Sequence, residues 1–151
     1  MQQKVTKNWV TIGTGVIANE LAVAMESLNG KLYGVANRTY ENAVKFAQKY
    51  GVEKVYDAID DVFTDPAVDI IYISTPHNTH IHYLRKALVA GKHVLCEKAI
   101  TLNSEELEEA LKLAKENNVV LAEAMTLYHM PVYTQLRKAT EKLGELRMIQ
   151  M

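Results

Sequence analysis

The stretch Trp9-Val10-Thr11-Ile12-Gly13-Thr14-Gly15-Val16-Ile17-Ala18 decides the fold. Residues of strand type run into a Gly-x-Gly turn, and then Ile17, Leu21, Met25 and Leu28 recur at helical spacing until Gly30. A strand that passes through such a turn straight into a helix is the first half of a βαβ unit. Gly13 permits the tight turn, Gly15 lets a ligand come close to the backbone, and Ala18 lets the helix pack closely on the strand. The N–H groups at the start of that helix, from Val16, Ile17 and Ala18, have no partners within it and favour an anion.

Outward from this unit, short apolar runs alternate with helical periods, which predicts an α/β fold with a doubly wound parallel sheet. The expected strands are Trp9 to Gly13, Lys31 to Ala36, Lys54 to Tyr56, Asp69 to Ser74, His93 to Cys96 and Val119 to Ala122. Ile70-Ile71-Tyr72-Ile73 is apolar without alternation, so it belongs at the middle of the sheet, covered on both faces. A second helix buries Ala43, Phe46, Ala47 and Tyr50 before Gly51, and both Gly30 and Gly51 suit C-terminal caps. Asp60 to Asp65 suggests a short helix, and a longer one begins near Thr79 as its cap and stops at Gly91. Asn103 with Glu106 three residues on resembles a capping box opening the next. A last helix is expected from Pro131 to about Leu143, followed by a strand from Glu145 to Met151.

The 151 residues suffice for one sizeable domain and not for two. With 48% hydrophobic residues and a net charge of -1, the chain has no electrostatic footprint for nucleic acid or an anionic membrane. Small molecules are the expected partners. Cys96, the one cysteine, lies in an expected buried strand and cannot form an intramolecular disulfide, which suits a reducing, cytoplasmic setting. Neither a signal-type apolar segment at the amino terminus nor a run of 18 apolar residues is present.

The candidate chemistry gathers at strand ends, where ligands bind in a doubly wound sheet. After the second strand comes Ala36-Asn37-Arg38-Thr39 in place of the acidic residue that holds the ribose of NAD. No carboxylate there repels a 2'-phosphate, and Arg38 can grip one beside Asn37 and Thr39, which favours NADP(H) while leaving NAD(H) possible. After the central strand, Ser74-Thr75-Pro76-His77-Asn78-Thr79-His80 forms a polar loop at the crevice. Histidines 77, 80 and 82 do not share one helical face, so no metal is expected. Beyond His93-Val94-Leu95-Cys96, Glu97 and Lys98 enter the crevice, where an ammonium group can hold or donate a proton. The competing reading of Lys98 is a lysine reaching into solvent.

In order, Gly-x-Gly-x-x-Ala, a basic residue after the second strand, Ser74-Thr75-Pro76-x-x-x-His80 and Ala90-Gly91-Lys92-His93-Val94-Leu95-Cys96-Glu97-Lys98 resemble the Gfo/Idh/MocA oxidoreductases. That family includes glucose-fructose oxidoreductase, inositol 2-dehydrogenase and dihydrodiol dehydrogenase. The resemblance implies an NAD(P)-binding Rossmann domain over residues 1–122, truncated before a second α/β domain used for substrate binding and often for dimerisation. Residues 123–151 would be its linking helix and first strand, and a homo-oligomer is expected at full length. By resemblance, Lys98 is catalytic and sits by the nicotinamide, and Ser74, Thr75, Pro76, Asn78, His80 and Glu97 join Gly13 to Ala18, Asn37 and Arg38 around the cofactor. Tyr128 and His129 fall where relatives approach substrate, although the residues favour a capping or interdomain contact just before Pro131. The family's acid/base histidine lies in the second domain, so this segment by itself is expected to bind cofactor without turnover. Ala99 stands where the family commonly has proline, often after a cis bond, which leaves the geometry of the Lys98 turn open. The implied reaction is hydride transfer between a nicotinamide and a hydroxyl or carbonyl carbon of a sugar, polyol or cyclic diol. A non-catalytic dinucleotide sensor is the alternative.

Overall fold

The computed structural model describes residues 7–141, 144, 145, 147 and 148. Its strands are β1 (Trp9–Ile12), β2 (Gly34–Ala36), β3 (Lys54–Tyr56), β4 (Ile70–Ile73), β5 (His93–Cys96) and β6 (Leu121–Glu123). Its helices are α1 (Val16–Ser27), α2 (Tyr40–Tyr50), α3 (Asp60–Thr64), α4 (His80–Val89), α5 (Ser104–Glu116) and α6 (Pro131–Thr140). All strand pairs are parallel, in the order β3-β2-β1-β4-β5-β6, so β1 and β4 form the centre and the order reverses between them. That reversal opens a crevice at the carboxyl ends of the strands.

Helices cover both faces. On one, Ala18 and Ala22 of α1 pack with Phe46 and Ala47 of α2 over Val35. On the other, Val62 and Phe63 of α3, Leu84 and Leu88 of α4 and Ala110 of α5 pack over Val10, Ile12, Ile71 and Ile73. The central strand is buried at Ile71, Tyr72 and Ile73, as its unbroken apolar character requires. Among the described residues no helix is long and apolar enough to cross a membrane.

Several local expectations are corrected. Strand β2 begins at Gly34 rather than Lys31, because Lys31 and Leu32 are still crossing from α1 to the sheet. Strand β6 begins two residues later than expected, since Asn118 adopts a left-handed conformation and Val119 still donates to Ala114 O of α5. It also runs one residue further, to Glu123. Asn29, not Gly30, takes the left-handed position after α1, whereas Gly51 does so after α2 with its N–H on Ala47 O. Thr79 does not cap α4: it ends a 3-10 turn, His77–Thr79, and its hydroxyl donates to Pro76 O at 2.6 Å. Asn103 does cap α5 by accepting from Glu106 N at 2.8 Å, but Glu106 Oε2 reaches back to Leu102 N rather than to Asn103. The strand expected from Glu145 lies largely outside the described residues, as do the last residues of the helix expected to reach Leu143.

Candidate active site

The site begins where β1 turns into α1. Gly13 has φ +109, and a Cβ built on it would lie 2.7 Å from Ser74 Oγ and 2.8 Å from Ser74 O, so both conformation and space demand glycine. Its N–H donates to Ala36 O at 2.9 Å and its carbonyl accepts from the Thr11 hydroxyl, which pins the turn between β2 and β4. A Cβ on Gly15, by contrast, would meet no atom within 4 Å. That space lies at the N-terminus of α1, where no side chain caps the helix and the first turn carries no acid. Free N–H donors, a positive helix end and room against the backbone fit a dinucleotide's phosphates. Val16 is 74% exposed there, Ile17 is partly exposed, and Ala18 is wholly buried against the sheet.

A cleft of about 250 Å³ extends from this turn. Gly13, Thr14, Gly15, Asn37, Arg38, Ser74, Thr75 and Pro76 all line it, so residues about 60 positions apart in sequence meet there. Ile12, Ile59, Thr79 and Tyr83 complete its lining. Asn37 Nδ2 donates to Thr14 Oγ1 at 2.7 Å and its Oδ1 accepts from Thr39 N at 2.8 Å, so this amide fastens the end of β2 to the glycine turn. Asn19 braces the same turn by donating to Thr14 O and Gly15 O. Among the described residues the Arg38 guanidinium has no partner and stands exposed at the rim.

The second part of the site is the turn after β5. Lys98 is exposed, and among the described residues its ammonium has no partner. The backbone that carries it is held from several sides. The buried Tyr72 phenol donates to Glu97 Oε1 at 2.6 Å, and Glu97 Oε2 accepts from Lys98 N at 3.3 Å. Ile100 N donates to Glu123 Oε1 at 2.9 Å. The Lys98-Ala99 peptide is cis. Burial, then the Glu97 carboxylate, push the Tyr72 phenol well above its ordinary value, keeping it a donor. Burial likewise pushes the Cys96 thiol up to about 12, with the Glu97 and Glu123 charges adding to it, so it remains a protonated core side chain.

Of the expected cofactor contacts, Val16, Ile17, Ala18, Asn78, His80, Glu97 and Lys98 do not line the cleft. His80 is fully buried, with Nδ1 2.9 Å from Ala99 O and Nε2 2.9 Å from Thr75 O, so neither ring nitrogen is left for a ligand. Asn78 is exposed on the 3-10 turn and does not line the cleft. Tyr128 and His129 lie exposed beyond β6 in a 3-10 turn, with Tyr128 edge-on to Tyr133 at 5.2 Å. Tyr72 escaped the sequence reading, although a tyrosine in an otherwise aliphatic central strand must find an acceptor for its hydroxyl.

Known proteins share this arrangement. A model described as oxidoreductase family, NAD-binding Rossmann fold, matches residues 7–125. The chain belongs to the Gfo/Idh/MocA oxidoreductase family. It is 33% identical over 146 residues to a trans-1,2-dihydrobenzene-1,2-diol dehydrogenase of Xenopus laevis, covering 93% of this chain and 44% of that protein. It is also 33% identical, over 142 residues, to an uncharacterised Escherichia coli oxidoreductase, covering 93% of the chain and 43% of the relative. A variant of a 3-ketoreductase from Actinomadura kijaniata, solved with TDP-benzene and NADP, superposes with a TM-score of 0.86 at 28% identity, over 94% of this chain and 45% of that one. An NAD-binding oxidoreductase from Klebsiella pneumoniae superposes with a TM-score of 0.80 at 27% identity, over 90% and 39%. The chain thus spans less than half the length of the relatives it matches.

Proposed function

We propose that this chain is the cofactor-binding segment of an NADP(H)-preferring dehydrogenase or reductase. Its substrate is a hydroxyl or carbonyl carbon of a sugar, polyol or cyclic diol. The observation that carries the reading is the cleft itself: an uncapped helix start, a glycine turn with open space at Gly15, and Arg38 at the rim where an NAD enzyme would place a carboxylate. When bound, the nicotinamide supplies the hydride chemistry. The N–H groups of Val16, Ile17 and Ala18 bind the pyrophosphate, and Asn37 keeps the glycine turn in register with β2. Arg38 pairs with a 2'-phosphate through its planar guanidinium. Lys98 Nζ orients the substrate oxygen and assists its proton transfer, the ammonium donating as a carbonyl is reduced and the neutral amine accepting in the reverse direction. The polyhydroxylated or cyclic substrate class is supported by the relatives, one named a dihydrobenzene-diol dehydrogenase and one a 3-ketoreductase solved with TDP-benzene and NADP.

The test is fluorescence titration of the chain with NADPH, NADH and an unrelated nucleotide such as coenzyme A. NADPH is expected to bind more tightly than NADH. Arg38→Ala is expected to weaken NADPH about ten-fold, in proportion to the loss of one charge-assisted pair, and to leave NADH within about two-fold. Binding of neither nicotinamide nucleotide overturns the reading.

A further inference from the structure

Lys98 is placed by its backbone, and one hold on that backbone comes from a fully buried residue that does not line the cleft. We propose that His80 is a positioning residue for Lys98, a clamp that couples the cofactor cleft to the Lys98 turn. The inference rests on the proposed role of Lys98. The His80 ring, fully buried at the first residue of α4, lies between two backbone segments. Nε2 is 2.9 Å from Thr75 O, in the loop that lines the cleft, and Nδ1 is 2.9 Å from Ala99 O, the residue after Lys98; both partners are acceptors, so a neutral ring donates to one of them and packs against the other. Among the described residues no other side chain has polar atoms against both of these segments, which are 24 positions apart in sequence, so without the ring a shift of one would no longer oblige the other to follow. A buried aromatic ring with two rotatable bonds is a stiff connector, and it has no room to relax around the contact. On the far side of the turn Glu123 accepts from Ile100 N, so the peptide groups that follow Lys98 are held from both flanks. A ligand that fixes Thr75 in the cleft therefore also fixes Ala99, and with it the direction in which Lys98 leaves the backbone. His80 acts through position, not through contact.

The experiment uses the 151-residue chain with ¹³C-methylated lysines, the Lys98 signal being assigned with Lys98→Arg. In the unaltered chain NADPH is expected to shift the Lys98 signal. In His80→Leu, 2'-phospho-ADP-ribose is expected to bind within about two-fold of the unaltered chain, while the NADPH-induced shift of Lys98 falls below about half. His80→Gln, which keeps a donor, is expected to restore most of the shift. A Lys98 response in His80→Leu equal to that of the unaltered chain overturns the proposal. Should His80→Leu fail to fold, ¹H-¹⁵N spectra of the unaltered chain decide: a His80 ring proton strongly protected from solvent supports the clamp, and one exchanging as fast as that of the exposed His77 overturns it. Failure of the unaltered chain to bind NADPH would instead sink the proposed function, and the ring-proton measurement would still judge the clamp.

Discussion

The two halves of the site are built in different ways. The glycine-turn end, proposed to take the phosphates, is made of backbone: a glycine turn, an uncapped helix start and the carbonyl ladder at the ends of β1, β2 and β4. The Lys98 end is made of side chains brought from β4, α4 and β6, with Tyr72, His80 and Glu123 each holding one group of the Glu97–Ile100 turn. A backbone site tolerates many sequences provided that its few glycines remain. A side-chain site depends on each supporting group, and loses its geometry in steps as they are removed.

The sharpest way to break the comparison is Gly13→Ala. The added Cβ meets Ser74 at 2.7 Å on a backbone with φ +109, so about 3 kcal/mol or more of stability is expected to go, and NADPH binding with it. Urea unfolding and nucleotide titration read both. Gly15→Ala separates the two effects. Its φ of -72 and the empty space around it leave stability unchanged or raised by about 0.4–1 kcal/mol. Nucleotide affinity is nonetheless expected to fall at least about ten-fold, because the methyl group occupies the room left for the phosphates. If affinity survives, the phosphates do not lie at Gly15.

At the other end, Tyr72→Phe leaves Glu97 without its buried donor. The loss expected is about 1.5–3 kcal/mol in urea unfolding, the cost of a hydrogen bond to a charged group, with affinity for 2'-phospho-ADP-ribose unchanged. A matching loss of affinity would show that the two halves are one cooperative unit.

The smallest effect comes from the amino-terminal edge of the sheet, far from both. There Lys54 and Tyr56 donate to Asp65 Oδ2 and hold its carboxyl down at about 2 from 3.8. A carboxyl whose value is lowered by folding adds stability above about pH 4, and that stability is lost as pH falls toward 2. The shift corresponds to at most about 2 kcal/mol, reduced by water around the half-exposed Lys54. Asp65→Asn is expected to flatten the acid limb of the unfolding midpoint between pH 4 and 2 and to leave nucleotide binding at pH 7 unaltered.

Much of this was legible in the residues. The period of apolar residues, with the cap and turn signals at Asp60 and Pro131, named α1 to α6, and the unbroken Ile70-Ile71-Tyr72-Ile73 placed β4 at the centre, because a strand covered on both faces cannot alternate. The missing proline at Ala99 left the turn open, and the structure supplied its cis geometry. The boundaries of β2 and β6 slipped because a strand ends where its neighbour's ladder ends, which no local propensity records. His80 was misread for a related reason. Its motif position is evident in the sequence, but whether a histidine faces a ligand or the core depends on which segments fold over it.

The sequence by itself determined the glycine-turn end of the site, because glycine at a strand-to-helix turn acts through its own backbone and the N–H groups next to it. Only the tertiary structure decided the Lys98 end. Its supports are Tyr72, His80 and Glu123, which are between 18 and 26 positions from Lys98 along the chain. They meet it only because β4, α4 and β6 are packed side by side around β5.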